Sequence, residues 1–195
     1  MSGVFDFTAR MEHLCRDITA RIPSFCHVDM DRVVVSFSQT RRAVRWGLQA
    51  KLTPMRFEDG SLTTHKKGLQ WTVQRVYHEG REMLYILTFY LPRFQNQPFE
   101  EKLVTVFHEL FHIHPEFNGD LRRLEGHFHV HSRSQKGYDL QMAEFARQYL
   151  NLGPPEQLVA FLRPSFRQLV KKHGSVVGFR VSIPKLIPLH PRPVR

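Results

Sequence analysis

The stretch Phe99 to His114, FEEKLVTVFHELFHIH, constrains this chain more than any other. Leu103, Val104, Val106, Phe107, Leu110, Phe111 and Ile113 cover most of a helix drawn through it, which predicts a largely buried element. Thr105, His108, Glu109 and His112 fall at i, i+3, i+4 and i+7. The polar groups therefore gather into one narrow stripe on an otherwise apolar cylinder. Imidazoles and a carboxylate in a core are costly unless they bind a metal, pair with charges or line a wet cleft. Pro98 in the first turn, Glu100 and Glu101 at the positive end of the dipole, and Pro115 as the stop predict the helix ends.

His108, Glu109 and His112 spell H-E-x-x-H. Histidines four apart on one helix face reach the same metal ion, and Glu109 stands beside that face, outside the ligand set. The competing reading is a core helix with two satisfied histidines and a chance spelling, in a chain that carries 12 histidines. A catalytic zinc takes three protein ligands and keeps a fourth position for water. In the extended form of the motif the later glycine and histidine positions fall on Pro115 and Asn118, so a third ligand has to come from farther on.

His127, His129 and His131 form an H-x-H-x-H run that places three imidazoles on one face if extended. We favour His131, which stands directly before Ser132 and the expected start of a new helix. His127, after Gly126, is the closest competitor, and Glu144 is the carboxylate alternative. His114 lies two residues past His112 and points elsewhere on the helix. Three neutral imidazoles leave the ion its double charge, which lowers the pKa of bound water to about 7. Glu109 then takes a proton from the water and delivers it to the leaving amine. Tyr138 is a candidate donor to the developing oxyanion, with a core aromatic as its alternative reading.

Along the chain, Phe7, Met11, Leu14, Ile18 and Ile22 predict an amphipathic helix over 5–22. Alternation predicts strands over 31–38 and 44–52, the second with Val44, Trp46, Leu48, Ala50 and Leu52 on its apolar face. A loop is expected over 58–68. A hairpin of 71–77 and 83–91 should turn at Glu79-Gly80, its second strand lying deep because it is apolar on both faces. Tyr138, Met142, Phe145 and Tyr149 predict a helix from about Ser132 or Ser134 to Leu150. A further helix over 155–173 should kink near Pro164 and stop at Gly174, and 175–183 has strand character.

A chain of 195 residues suits one core, so we expect a single domain over 1–183 followed by a Pro-rich basic arm, 184–195. Cys15 and Cys26 alone build neither a disulfide framework nor a thiolate zinc site. The N-terminus has no signal-peptide core and no apolar run reaches spanning length, which leads us to expect a cytoplasmic protein with no membrane partner. A net charge of +10 is compatible with nucleic acid, although the basic residues are scattered along the length.

The motif His108-Glu-Leu-Phe-His112, with a distant histidine, an N-terminal helix and a small sheet, resembles the zincin-type metallopeptidases. Among them it is similar to the SprT-like proteases and phage-type metallopeptidases, over roughly 83–150. It departs from the SprT-like pattern in lacking a clear His-Gly pair with an aromatic shortly after. The resemblance implies an α+β fold with a mostly antiparallel sheet, an active-site helix and C-terminal helices. It also implies Zn2+ and a protein or peptide substrate paired with a sheet edge. Two alternatives stand beside it: a basic nucleic-acid-binding protein with structural zinc, and a metal-dependent hydrolase of non-peptide bonds.

Overall fold

The computed structural model describes residues 3–40, 47–123 and 135–189. Strand β1 (Phe5–Asp6) runs straight into α1 (Phe7–Arg21), where the Asp6 carboxylate accepts from the Ala9 N–H at 3.0 Å and closes the first turn. The predicted stripe Phe7, Met11, Leu14, Ile18 and Ile22 is buried throughout. There follow β2 (Val33–Gln39), β3 (Ala50–Pro54), β4 (Thr63–Lys66), β5 (Leu69–Val73), β6 (Tyr77–His78), β7 (Arg81–Glu82) and β8 (Tyr85–Leu91). The helical part comprises α2 (Phe99–Phe111), α3 (Gln135–Asn151), α4 (Glu156–Val159) and α5 (Phe166–His173), and β9 (Val176–Val177) and β10 (Leu186–Leu189) complete the order.

The fold is α+β, with four small sheets among the described residues instead of one. The sheet that matters most has the order β2-β8-β3. It is mixed: β8 is parallel to β2 and antiparallel to β3, which corrects the expectation of a mostly antiparallel sheet at the centre. The expected depth of β8 holds, because a strand apolar on both faces takes the middle position. Tyr85, Leu87, Phe89 and Leu91 join α1, α2 and α3 in the main core, while Ile86 packs on the other face with Val34, Met55 and Met83.

Local chemistry explains where the strands differ from the sequence pattern. Residues 44–46 lie outside the described residues, and the second strand begins only at Ala50. Gly47 adopts φ +103°, and a Cβ there would stand 2.7 Å from Nη1 of Arg93, so the extended run breaks and Leu48 is exposed. The expected loop over 58–68 contains β4, paired with β5 around Lys67-Gly68, both at positive φ as a tight hairpin turn requires. The turn at Glu79-Gly80 is present with positive φ at both residues, but it joins only β6 and β7. The start of the predicted first arm, Trp71 to Val73, pairs with β4 and β10.

At the C-terminus the long predicted helix is a full break, not a kink. α4 continues into a single 3-10 turn, Ala160–Leu162, and α5 restarts with a capping box between Ser165 and Gln168. Lys102, 1 % exposed, closes the end of that turn by donating to the carbonyls of Leu162 at 2.6 Å and Pro164 at 3.1 Å. Burial pushes the Lys102 ammonium down to about 8. Gly174 stops α5 at φ +77°, as expected. Only Val176–Val177 of the predicted last strand pairs regularly, with β1, whereas Leu186–Leu189 of the expected arm is β10, antiparallel to β5. Residues 190–195 lie outside the described residues.

Both edges of the central sheet are engaged. On β2, the Phe37 N–H donates to the Phe179 carbonyl at 3.0 Å, so the C-terminal segment covers that edge. On β3, the Leu52 N–H donates to Oε2 of Glu109 at 2.7 Å, which docks α2 against the other edge. No helix among the described residues is long and apolar enough to cross a membrane.

Candidate metal centre

α2 is set by its burial and by the charge pattern of its first turn. Pro98 occupies the N-cap, one position before the expected first turn, and Glu100 and Glu101 stand in that turn. Helical bonding ends at Phe111, with His112 as C-cap still in αR conformation, so His108 and His112 keep their one-turn relation. Their ring centroids are 4.7 Å apart at an interplanar angle of 77°. Imidazoles bonded to one tetrahedral zinc at Zn–N distances of about 2.0–2.1 Å hold their centroids at about 5 Å. The separation of the two rings is therefore of the size a shared ion requires. Burial, then His108 and Arg122, lowers His112 to about 4, so its imidazole is neutral at pH 7 with a lone pair for a metal.

Glu109 is buried, and that burial pushes it up to about 7 against the opposing pull of the Leu52 N–H and Lys51. The bond from Leu52 fixes the carboxylate through Oε2, while Oε1 has no hydrogen bond among the described residues. Tyr138, from α3, packs edge-on against the His108 ring at 4.8 Å and lies 6.1 Å from the His112 ring. Its hydroxyl donates to the His108 carbonyl at 3.3 Å. Burial and the nearby Glu109 raise its pKa, which keeps the phenol protonated and able to donate. Thr105, the fourth member of the polar stripe, donates to the Glu101 carbonyl at 2.8 Å and exchanges hydrogen bonds with the Gln97 side chain.

The structure thus brings together His108, Glu109, His112 and Tyr138. His127, His129 and His131 lie outside the described residues, as does Ser132. Among the described residues no group of three or more histidine, cysteine, aspartate or glutamate side chains is placed to hold a metal. Glu144 is half exposed and pairs with Arg147 on its own helix, matching its reading as a solvated helix face. His114 turns aside, its Nδ1 accepting from the Glu116 N–H at 3.2 Å.

Sequence reasoning missed Arg122. After α2 the chain makes a short excursion and returns antiparallel through an Ile113–Leu121 bridge, and the Arg122 N–H donates to the His112 carbonyl at 2.7 Å. Tyr85, buried in β8, pins the excursion by accepting from the Gly119 N–H at 3.0 Å and donating to the Asp120 carbonyl at 2.8 Å. Gly119, at φ +90°, has no room for a Cβ, which would stand 2.5 Å from Arg56 Cγ. No local periodicity announces such a contact. The basic surface is partly neutralised: Arg16, Arg21, Arg56, Arg75, Arg81, Arg123, Arg147 and Arg163 all lie in ion pairs. Comparison with protein-family models, with curated proteins and with solved structures finds no match to this chain.

Proposed function

We propose that the chain is a zinc-dependent metallopeptidase. The carrying observation is the buried helix α2, which presents two imidazoles at metal-sharing separation and an adjacent carboxylate held by the edge strand β3 of the central sheet. His108 and His112 would hold the ion, with His131 as our assignment for the third ligand and His127 as its nearest competitor. A bound zinc would supply Lewis acidity to a peptide carbonyl and to a water molecule.

The chain's own residues do the rest. Oε1 of Glu109 takes a proton as water adds to the carbonyl carbon, and returns it to the amine nitrogen as the C–N bond breaks. The anchoring of Oε2 by Leu52 keeps the carboxylate in one orientation. The Tyr138 hydroxyl is the candidate donor to the oxyanion, exchanging its long bond to the His108 carbonyl for a shorter one. Substrate would lie along β3. By the alternation of the ladder, the main-chain groups of Ala50 and the carbonyl of Leu52 turn away from β8, the Leu52 N–H being taken by Glu109, and an extended peptide pairs with such groups.

The test is hydrolysis of an unfolded protein such as reduced casein by the full chain. We expect cleavage that EDTA abolishes and a stoichiometric return of zinc restores. Zinc-loaded protein that produces no new peptide termini would overturn the peptidase reading. Hydrolysis of esters or amides in its place would move the same centre to a non-peptide bond.

A further inference from the structure

We propose that Arg122 is the anchor for a substrate carboxylate beside the candidate metal centre, which makes peptides carrying a carboxylate close to the scissile bond the preferred substrates. The inference rests on the peptidase reading for the reaction, but the anion site itself stands on its own geometry. Arg122 is half buried, with Cζ 4.1 Å above the Phe111 ring and Nε donating to the Phe111 carbonyl at 2.8 Å. Those contacts fix the plane of the guanidinium. They leave its two terminal nitrogens without a hydrogen bond among the described residues.

The neighbour Arg123 pairs with Glu58 and Asp120, whereas Arg122 meets no carboxylate at ion-pair distance among the described residues. A partly desolvated guanidinium whose fork meets no acceptor among the described residues is matched by a carboxylate bound through two parallel N–H bonds. Position gives the site its meaning. The Phe111 ring under the guanidinium meets the Tyr138 ring edge-on at 5.6 Å, and the Arg122 backbone is bonded to that of His112. The pinned excursion below Arg122 means that the anchor is built before substrate arrives.

Two sources supply this chemistry: the C-terminal carboxylate of a peptide, and an aspartate or glutamate side chain near the cleavage point. The experiment uses zinc-loaded full-length protein and three fluorescently labelled random-sequence peptide pools. One pool ends in the free acid, one is the same pool amidated, and one is amidated with a single Asp. Wild type should prefer a carboxylate-bearing pool by about ten- to a hundredfold in kcat/KM, carried mainly by KM. A preference for the first pool assigns the terminal carboxylate, and for the third the side chain.

In Arg122→Gln the preference should fall to near one, and Arg122→Lys should retain part of it. Zinc content and circular dichroism should match wild type in both. Equal turnover of all three pools by wild type, or an undiminished preference in Arg122→Gln, overturns the inference while leaving the peptidase reading intact. If no pool is cleaved, fluorescence anisotropy of the same pools decides. An Arg122-dependent preference in binding keeps the carboxylate site and removes the peptidase reading; binding with no preference removes both.

Discussion

Glu109→Gln should lower kcat for peptide hydrolysis by about 10²–10⁴-fold, the range that a positioned acid–base group contributes, while zinc content stays as in wild type. The substitution is close to isosteric, and a glutamine side-chain oxygen can still accept from the Leu52 N–H that Oε2 of Glu109 engages at 2.7 Å. The docking of α2 on β3 is therefore kept. What is lost is the second oxygen's capacity to take a proton, since an amide is not a base at neutral pH. Single-turnover rates with plasma mass spectrometry on the same samples check both halves. A fully active Glu109→Gln protein would remove Glu109 from the mechanism; a metal-free one would show that it holds the site together.

Phe107→Ala should destabilise the fold by about 3–5 kcal/mol, a large part of the ~5–15 kcal/mol typical of a domain. The side chain is fully buried and meets the rings of Phe25 at 5.4 Å and of Phe145 and Tyr149 at 6.2 Å each. It is thus the point at which α2 and α3 share one aromatic cluster with the segment after α1. Removing it leaves a cavity between the helix that carries His108 and His112 and the helix that carries Tyr138. Urea unfolding monitored by circular dichroism measures the loss. A midpoint shift equivalent to less than about 1 kcal/mol would mean that the cluster repacks around the gap.

The helices were the legible part of this chain. α1 and α2 carry unbroken apolar periodicity, and both elements run within a few residues of where that pattern places them. Strand β8 was legible as a central strand because it has no polar face. The weaker strands were hidden for identifiable reasons. β4, with the sequence TTHK, lies at the edge of its sheet and buries none of its side chains, so it carries no apolar alternation. β10 exists by pairing with β5, a contact between distant parts of the chain that no local pattern encodes. β3 begins late because Gly47 takes a conformation that alternation does not register.

The candidate site divides in the same way. Spacing on one helix was enough to bring His108, Glu109 and His112 together, and the periodicity of α3 placed Tyr138 on a face directed at α2. The anchoring of Glu109 by a strand edge, the return of the chain that sets Arg122 beside His112, and the burial of the Lys102 ammonium all arise from tertiary packing. Lys102 in particular is charged and sits on a helix, the combination a pattern assigns to solvent. It is buried because the carbonyls at the end of a distant 3-10 turn need donors.

The most direct test of the metal centre is zinc stoichiometry on tag-free protein, supplied with zinc and then freed of excess. Plasma mass spectrometry should find one zinc per chain in wild type and a large loss in His112→Ala. The variant also serves as a control for incidental binding, because the other 11 of the chain's 12 histidines remain in it. Wild type that retains no zinc, or His112→Ala that retains as much as wild type, would contradict a centre built on His108 and His112.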